Sequence, residues 1–211
     1  MDKYEQASQT AFNEQAATYD DDHTGVYTQR YKELLIEEAE RARILHPGIA
    51  VLDIACGTGT FLQMLSERYN INGHGIDIAG NMLALAREKN PSFHFAEGTA
   101  AELSFLDDSS IDLVTVSAAF HHFPDPEAFM REAARVLKPR GTIMIADPYI
   151  PKLLRPLAFL LPILSKDGDK KMYFPRQMDA LYRMAGLDPR PTRITDYIQI
   201  CSASKPEEQP C

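Results

Sequence analysis

Residues 51–59, with the sequence VLDIACGTG, decide the fold of this chain. The first part is an apolar run rich in β-branched residues, which predicts a buried strand, and it ends in a G-x-G turn. The residues from Thr60 onwards predict a helix. Glycine lets a ligand come close to the backbone, and the start of a helix offers free N–H groups. Strand, glycine turn and helix in this order predict a ligand cradle, with the carboxylate of Asp53 at its strand end.

Length, composition and charge restrict the class of protein. The 211 residues are 45% hydrophobic and 25% charged, which suffices for one well-filled domain. Three cysteines, Cys56, Cys201 and Cys211, are too few and too scattered for a disulfide framework or a zinc site, so we expect no metal. The net charge of −8 argues against broad nucleic-acid binding, and we expect no nucleic-acid partner.

The sequence shows no targeting signal and no membrane span. The N-terminal residues contain no basic region followed by an apolar run, so we expect a cytoplasmic protein. The longest apolar stretch, 153–164, contains two prolines and is shorter than the roughly 18 residues of a membrane span. Peripheral membrane contact through 153–164 stays open, as does the choice between a monomer and a homodimer.

Strand and helix patterns alternate along the middle of the chain. Five apolar segments have the pattern of strands: 49–55, 73–78, 93–96, 111–116 and 142–146. Helical patterns of about ten residues separate them, which predicts an α/β fold with a doubly wound, mostly parallel sheet and helices on both faces. Two last segments, 192–194 and 197–202, are close enough to pair as a hairpin. We therefore expect a Rossmann-like sheet of seven strands with an antiparallel last strand.

We interpret the whole chain as a single domain with four parts. These are an N-terminal helical cap (1–48), a cofactor-binding core (49–147), an apolar lid or insert (148–174), and a closing helix with hairpin (175–211). Within the cap, we expect the polar residues up to about Asp22 to be mobile or only loosely packed. Within the core, Asp125 as N-cap and Pro126 at the first position predict a helix that reaches Leu137.

Polar residues stand where the predicted strands end. Ligands of doubly wound sheets bind beyond the carboxyl ends of the strands. The residues at these ends are Asp53, Asp77, Thr99, Ser117 and Asp147. Asp77 follows Gly59 by 18 residues, and an acid about 20 residues beyond the glycines can hold both hydroxyls of a ribose. Capping of the next helix is the alternative role for Asp77.

Two features discriminate between the cofactors that contain adenosine. A complete dinucleotide fingerprint, G-x-G-x-x-G, has a third glycine where this chain has Leu62. The carboxylate of Asp53 would also repel a pyrophosphate. An acid at this place suits a ligand without phosphate that carries positive charge, and S-adenosylmethionine has a sulfonium and an ammonium group. The electrostatic argument therefore favours S-adenosylmethionine over NAD.

The same segments resemble a known family. Residues 51–59 are similar to motif I of the class I S-adenosylmethionine-dependent methyltransferases, and the segments that begin at Gly75, Glu97 and Leu137 resemble the later motifs. The nearest group is the type 11 group that includes the ubiquinone/menaquinone biosynthesis C-methyltransferases. The resemblance implies methyl transfer to a small-molecule acceptor of apolar, quinone-like or lipid-like character, with S-adenosyl-L-homocysteine as the product.

The resemblance also implies roles for individual residues. Asp53 and the backbone of the glycine turn would hold the methionine part, Asp77 the ribose, and Ile78 and Met82 the adenine, although ordinary core packing is an alternative for Met82. Thr99 replaces an aspartate that often binds the adenine amino group in the family, so adenine binding here would be weaker or would use the backbone near Ala100. The complete set of implied cofactor-binding residues is Tyr19, Asp53, Ala55, Cys56, Gly57, Gly59, Asp77, Ile78, Met82, Thr99, Ala100 and Ser117.

The acceptor side carries fewer signals. His121 and His122 follow the fourth predicted strand and are candidate catalytic bases, with a structural role in the loop as the alternative. We interpret the apolar residues of 148–164 as a lid or wall for the acceptor, and a buried helix or a dimer contact is the alternative. Two other functions stay open: an NAD-dependent oxidoreductase, and a non-catalytic protein that binds S-adenosylmethionine.

Overall fold

A computed structural model describes residues 3–151 and 170–207, apart from the side chains of His23 and Thr24. The helices are α1 (Lys3–Gln15), α2 (His23–Arg41), α3 (Thr60–Ser66), α4 (Gly80–Lys89), α5 (Pro126–Val136) and α6 (Pro175–Met184), with a short 3₁₀ turn at Phe120–His122. The strands are β1 (Ile49–Ile54), β2 (Ile71–Asp77), β3 (His94–Glu97), β4 (Ile111–Ser117), β5 (Leu137–Pro148), β6 (Asp188–Pro189), β7 (Arg193–Thr195) and β8 (Ile198–Ser204).

The strands form one sheet in the order β3-β2-β1-β4-β5-β8-β6, and β7 also pairs with β8. The first five strands are parallel, whereas β8 runs antiparallel to β5, β6 and β7. The predicted doubly wound sheet with an antiparallel finish is confirmed, and so is the hairpin of β7 and β8. The eighth strand, β6, was not predicted because two residues, one of them proline, leave no period to detect.

The centre of the sheet explains why its sequence is so apolar. All six residues of β1 are buried, and β1 pairs with β2 on one side and β4 on the other. A strand with helices on both faces reads as a continuous apolar run. Strands β2 and β3 are added on one side of β1, whereas β4 and β5 are added on the other. The switch point of the sheet therefore lies at the carboxyl ends of β1 and β4, next to the glycine turn.

Two layers of apolar side chains cover the two faces of the sheet. One layer includes Phe129 and Met130 of α5 and Tyr182 of α6. The other includes Leu34 of α2 and Leu62 of α3. Leu62 occupies the position of the third glycine in a dinucleotide fingerprint, and its complete burial shows that α3 packs against the sheet through a large side chain.

The expectation that the residues before Asp22 pack loosely was wrong. Residues 3–15 form α1, and its Gln9 side chain donates a 2.7 Å hydrogen bond to the carbonyl of Ile78. The side-chain oxygen of Asn13 accepts from the backbone N–H of Asn81 at 2.9 Å. The segment is polar because hydrogen bonds tie it to the start of α4, and hydrophobic periodicity does not detect such contacts.

The helix that begins at Asp125 starts as predicted but ends earlier. The Asp125 carboxylate accepts from the N–H of Ala128 at 2.8 Å, and Pro126 occupies the first turn. Leu137 does not extend this helix, because it pairs with Ile111 and begins β5. The pairing then shifts register before the regular part of β5, which is why the strand starts five residues before the predicted 142.

The predicted lid at 148–174 lies mostly outside the described residues, and so does the apolar stretch 153–164. In the described ranges, 3–151 and 170–207, no helix combines the length and the apolar character that crossing a membrane requires.

Candidate functional site

A cleft opens at the carboxyl ends of β1, β2 and β4, and α1 covers one side of it. It lies at the switch point, where the topology predicts a ligand. Eight of the twelve implied cofactor-binding residues line it: Tyr19, Ala55, Gly57, Asp77, Ile78, Met82, Ala100 and Ser117. The lining also includes side chains of α1 and of the loop after β4, among them Glu5, Ser8, Phe12, His122, Phe123 and Asp125.

The glycine turn has a backbone conformation that glycine adopts more easily than other residues. Gly57 has φ of 53° and Gly59 has φ of 76°, both in the left-handed region. A Cβ on Gly59 would lie 2.9 Å from the side-chain nitrogen of Asn90, so Gly59 lets the turn pack against α4. A Cβ on Gly57 would meet nothing within 4 Å, and Gly57 lines the cleft. The two glycines thus serve different purposes, one for packing and one for close approach by a ligand.

The carboxylate of Asp77 joins the second strand to the glycine turn. Its Oδ2 accepts from the N–H of Gly57 and its Oδ1 from the N–H of Ala79, both at 2.8 Å. Burial raises the pKa of Asp77, and the backbone N–H groups of Ala79, Gly57 and Ile78 oppose this rise. The N-cap of α4 is Ala79 rather than Asp77. A carboxylate has about four acceptor sites, so Asp77 retains acceptor capacity for hydroxyl groups in the cleft.

Asp53 lies beneath the glycine turn and does not line the cleft. It is 2% exposed, and the hydroxyl of Thr115 donates to its Oδ1 at 2.8 Å. Burial raises the pKa of Asp53 to about 7, whereas the hydrogen bond from Thr115 and the positive charge of Lys32 favour the ionised form. Asp53 is therefore set back from the cleft and contributes no side-chain surface to it.

Three further residues of the implied set do not line the cleft. Cys56 is buried, and its sulfur lies 2.7 Å from the place of a Cβ on Gly75, as expected of a small residue that fits the turn. Burial raises the pKa of Cys56 well above its usual value, which keeps the thiol protonated. Gly59 packs on α4, and Thr99 stands between Gly98 and Ala100, which do line the cleft.

The N-terminal segment is fastened across the glycine turn by Asp20, which sequence reasoning missed. Its Oδ1 accepts from the hydroxyls of Thr58 at 2.8 Å and Thr60 at 3.1 Å, and its Oδ2 pairs with the ammonium of Lys89. Burial acts to raise the pKa of Asp20, but the partners Lys89 and Thr58 outweigh it and lower the pKa. The adjacent Tyr19 lines the cleft, so these bonds hold the N-terminal segment over it.

The two neighbouring histidines face different surroundings. His122 lines the cleft, with its ring edge-to-face with Phe12 at 5.8 Å between centroids. His121 instead places Nδ1 2.8 Å from Oδ1 of Asp147, at the end of β5, and both side chains are almost buried. Asp147 was one of the strand-end residues in the sequence, but the two residues are 26 positions apart and no local pattern pairs them. The adjacency of β4 and β5 brings them together.

No metal centre accompanies this arrangement in the described part of the chain. Among residues 3–151 and 170–207, no three His, Cys, Asp or Glu side chains are grouped so that they could hold a metal ion.

Comparison with known proteins shows that this chain is similar to methyltransferases. Residues 52–145 match the family Methyltransf_11, a methyltransferase domain, and this segment runs from within β1 to within β5. A demethylmenaquinone methyltransferase of Chlorobaculum parvum is 32% identical over 148 residues, which are 70% of this chain and 56% of that protein. A 2-methyl-6-phytyl-1,4-hydroquinone methyltransferase of Synechocystis is 39% identical over 106 residues, which are 49% of this chain and 33% of that protein.

A solved structure shows the same fold. A S-adenosylmethionine-dependent methyltransferase from Aquifex aeolicus has a TM-score of 0.62 and 20% identity, over 82% of this chain and 88% of that one. The chain spans about half the length, or less, of the curated relatives that it matches. The matched segment contains the glycine turn, Asp77 and both histidines. Residues 52–145 of this chain are therefore similar to the methyltransferase domains of the Methyltransf_11 family.

Proposed function

We propose that this chain is a methyltransferase that uses S-adenosylmethionine and methylates a small, quinone-like acceptor. The observation that carries the proposal is the charge of the cleft within a methyltransferase domain. Among the described residues that line it, Glu5, Asp77 and Asp125 are acidic, and none is a lysine or an arginine. An acidic lining favours a ligand with net positive charge and opposes a pyrophosphate. It therefore argues against NAD, the cofactor of the competing oxidoreductase function.

The cleft also offers the polar and apolar groups that such a cofactor needs. The hydroxyl of Ser117 is buried at the cleft and has no hydrogen-bond partner among the described residues. A buried polar group without a partner is costly, so a ligand that bonds to it gains affinity. Asp77 has acceptor capacity for ribose hydroxyls, and Ile78 and Met82 present apolar surface for an adenine ring. We call Tyr19, Gly57, Asp77, Ile78 and Met82 the cofactor end of the cleft.

His121 and Asp147 do not line the cleft themselves, but His121 is adjacent in the chain to His122, which does, and we call the pair of His121 and Asp147 the acceptor end. When bound, S-adenosylmethionine supplies a methyl group on a sulfonium, which is already an activated leaving group. What the protein must add is alignment of the acceptor, exclusion of water and, for a protonated acceptor, a base. We assign the base to His121: Asp147 accepts the hydrogen on Nδ1, and Nε2 takes the proton from a hydroxyl of the acceptor. Loss of that proton moves electron density towards the carbon that would receive the methyl group, and that carbon would then lose its own hydrogen as a proton, which restores the aromatic ring.

The class of acceptor rests on the relatives. Two of them are named for demethylmenaquinone and for a phytyl hydroquinone, both with the quinone or hydroquinone ring system. A phenolic hydroxyl has a pKa near 10, so a histidine base gives a larger benefit to such an acceptor than to an amine that is already free. We therefore place a hydroquinone ahead of a hydrophilic amine.

The test is a transfer assay with methyl-tritiated S-adenosylmethionine under reducing, anaerobic conditions. One arm contains a demethylated naphthohydroquinone with a short prenyl tail, and the other contains sarcosine. We expect label in the hydroquinone and none in sarcosine, with the methylated product identified by mass spectrometry. Label in sarcosine would overturn the choice of acceptor. Binding of the cofactor without transfer to either compound would favour the non-catalytic function.

A further inference from the structure

Residues 170–173 lie against residues 120–124, which contain the two histidines and which we call the histidine loop. The backbone N–H groups of Lys170 and Lys171 both donate to the carbonyl of His121, at 2.9 and 3.1 Å. A carbonyl oxygen has two lone pairs, so it can accept both bonds. These two bonds use the backbone alone, and they therefore do not depend on the side chains at positions 170 and 171.

The ammonium of Lys170 reaches the other end of the same loop. It donates a hydrogen bond to the carbonyl of Pro124, and it lies 5.8 Å from the centre of the Tyr4 ring in α1. The bond to Pro124 is charge-assisted, and the distance to the ring is within the range of a cation–π contact. Lys170 thus binds the loop at His121 through its backbone and at Pro124 through its side chain.

The segment 170–173 is in turn fixed to the sheet. Gln199 of β8 is buried, and its Nε2 donates to the carbonyl of Tyr173 at 2.6 Å. The ring of Tyr173 is edge-to-face with that of Phe120, with 5.0 Å between centroids. Gln199 is also the register partner of Asp147, which is bonded to His121. The segment therefore connects the histidine loop to the strand that pairs beside Asp147.

The histidine loop contributes to both the cleft and the proposed chemistry. His122, Phe123 and Pro124 line the cleft, and His121 is the proposed base. Among the described residues, Lys170 is not part of the cleft lining, so it can influence the reaction only through the residues that it holds. Its bond to Pro124 acts on a residue of the lining three positions after His121.

We propose that Lys170 is a positioning residue for methyl transfer: its ammonium, bound to the carbonyl of Pro124, keeps the histidine loop and His121 aligned for the reaction. This inference rests on the proposed function, because the transfer step is the reaction that the loop serves. Loss of the ammonium releases the Pro124 end of the loop, whereas both backbone bonds to His121 remain. The cofactor end of the cleft keeps all its residues.

The test compares Lys170→Met with Lys171→Met. The two lysines are neighbours, and their backbone N–H groups donate to the same carbonyl. The ammonium of Lys171, however, lies 4.8 Å from the centre of the Tyr173 ring, so it serves a different contact from that of Lys170 with Pro124. Lys171→Met is therefore the matched control. Lys170→Arg keeps a charged donor and should restore the behaviour of the unsubstituted protein.

Amide hydrogen exchange followed by mass spectrometry measures the position of the loop without any substrate. The N–H groups of His122 and Phe123 donate within the 3₁₀ turn, so their exchange reports its opening. Loss of a hydrogen bond from a charged group changes such an equilibrium by about tenfold or more. We expect the loop amides to exchange about tenfold faster in Lys170→Met and within twofold of the original rate in Lys171→Met.

Single-turnover kinetics measure the consequence for transfer. Misalignment of a catalytic group costs up to about a hundredfold, so we expect kcat of Lys170→Met to fall about ten- to hundredfold. The Kd of S-adenosylmethionine should stay within about threefold, because the cofactor end is unchanged. Lys171→Met and Lys170→Arg should keep kcat within about threefold of the original.

Unchanged exchange and unchanged kcat in Lys170→Met would overturn the proposal. Equal losses in Lys170→Met and Lys171→Met would overturn it too, because they would assign the effect to the charge of the segment and not to the bond with Pro124. Faster exchange with unchanged kcat would reduce the bond to a structural contact. If the unsubstituted protein transfers no methyl group, the proposed function is wrong and the role in transfer falls with it, whereas the exchange rates still show whether Lys170 holds the loop.

Discussion

The cofactor end of the cleft and the acceptor end beside it, His121 with Asp147, are held in place by different kinds of contact. At the cofactor end, one carboxylate, Asp77, accepts 2.8 Å hydrogen bonds from the backbone N–H groups of Gly57, after the neighbouring strand β1, and of Ala79. At the acceptor end, His121 meets Asp147 across two neighbouring strands. Both contacts depend on the order of strands, but backbone donors hold the carboxylate at the cofactor end, whereas two side chains form the acid–base pair. Substitutions at the two ends should therefore separate binding from chemistry.

The largest effect should come from the acceptor end. His121→Gln removes the proposed base, and general-base catalysis contributes about 10²–10⁴-fold. We expect kcat to fall within that range while the Kd of S-adenosylmethionine stays within twofold. Single-turnover transfer kinetics and calorimetry measure the two quantities. The matched control is His122→Gln, because His122 lines the cofactor cleft and should change Kd more than kcat. A loss of cofactor binding in His121→Gln would contradict the claim that His121 acts in the transfer step and not in cofactor binding.

Asp77→Ala should have the next largest effect, this time on binding. The change deletes the acceptor for two backbone N–H groups and the proposed partner of the ribose hydroxyls. Each hydrogen bond to a charged group is worth about 1.5–3 kcal/mol, so we expect the Kd of S-adenosylmethionine to rise about a hundredfold. Asp77→Asn retains one acceptor oxygen, so its Kd should lie between those of the unsubstituted protein and Asp77→Ala. Calorimetry measures both, and a Kd within threefold of the original for Asp77→Ala would contradict the role.

The buried acid under the turn should produce a pH dependence of stability. Burial raises the pKa of Asp53 in the folded protein to about 7, above an unfolded value of about 3.9. Because the folded state holds the proton more tightly, stability from this group is present below pH 4 and is lost as the pH rises through 7. Between pH 5 and 8, the free energy of unfolding should fall by about 2 kcal/mol more than in Asp53→Asn.

Urea denaturation at pH 5 and pH 8 measures this difference, and the Asn variant corrects for all other titrating groups. Identical pH profiles for the two proteins would show that Asp53 is ionised throughout. Cofactor affinity should follow the opposite course: it should rise with pH near 7, because the ionised Asp53 attracts a cationic ligand.

The smallest effect should come from loss of the contacts that Asp20 makes with Lys89, Thr58 and Thr60. The ion pair of Asp20 and Lys89 is about one-third exposed, and such pairs contribute about 0.2–1 kcal/mol. Asp20→Asn should therefore raise the dissociation rate of S-adenosylhomocysteine about threefold at low salt. Stopped-flow fluorescence at low and high salt measures it. The difference between the two proteins should shrink at high salt, and a difference that is independent of salt would assign the effect to the hydroxyls of Thr58 and Thr60.

The same contrast explains how much was predictable from sequence. Apolar runs predict the parallel strands, the G-x-G spacing predicts the glycine turn, and the position at a strand end predicts Asp77. Each of these signals lies within a short stretch of sequence. The contacts of α1 with α4 were missed because Gln9 and Asn13 bind through hydrogen bonds, which leave no apolar period. The buried Lys32 reads in sequence as an ordinary surface lysine, because only the packing of α2 decides what surrounds it. Long-range pairs such as His121 with Asp147 require the sheet order.

Calorimetry tests which cofactor the acidic cleft binds. The unsubstituted protein is titrated with S-adenosylmethionine and, separately, with NADH. The charge and shape of the cleft predict one-to-one binding of S-adenosylmethionine and no measurable heat with NADH. The same titration on Asp77→Ala should show the S-adenosylmethionine isotherm strongly weakened. Binding of NADH with equal or higher affinity, or no binding of S-adenosylmethionine, would contradict the assignment of this cleft to a phosphate-free, positively charged adenosine cofactor.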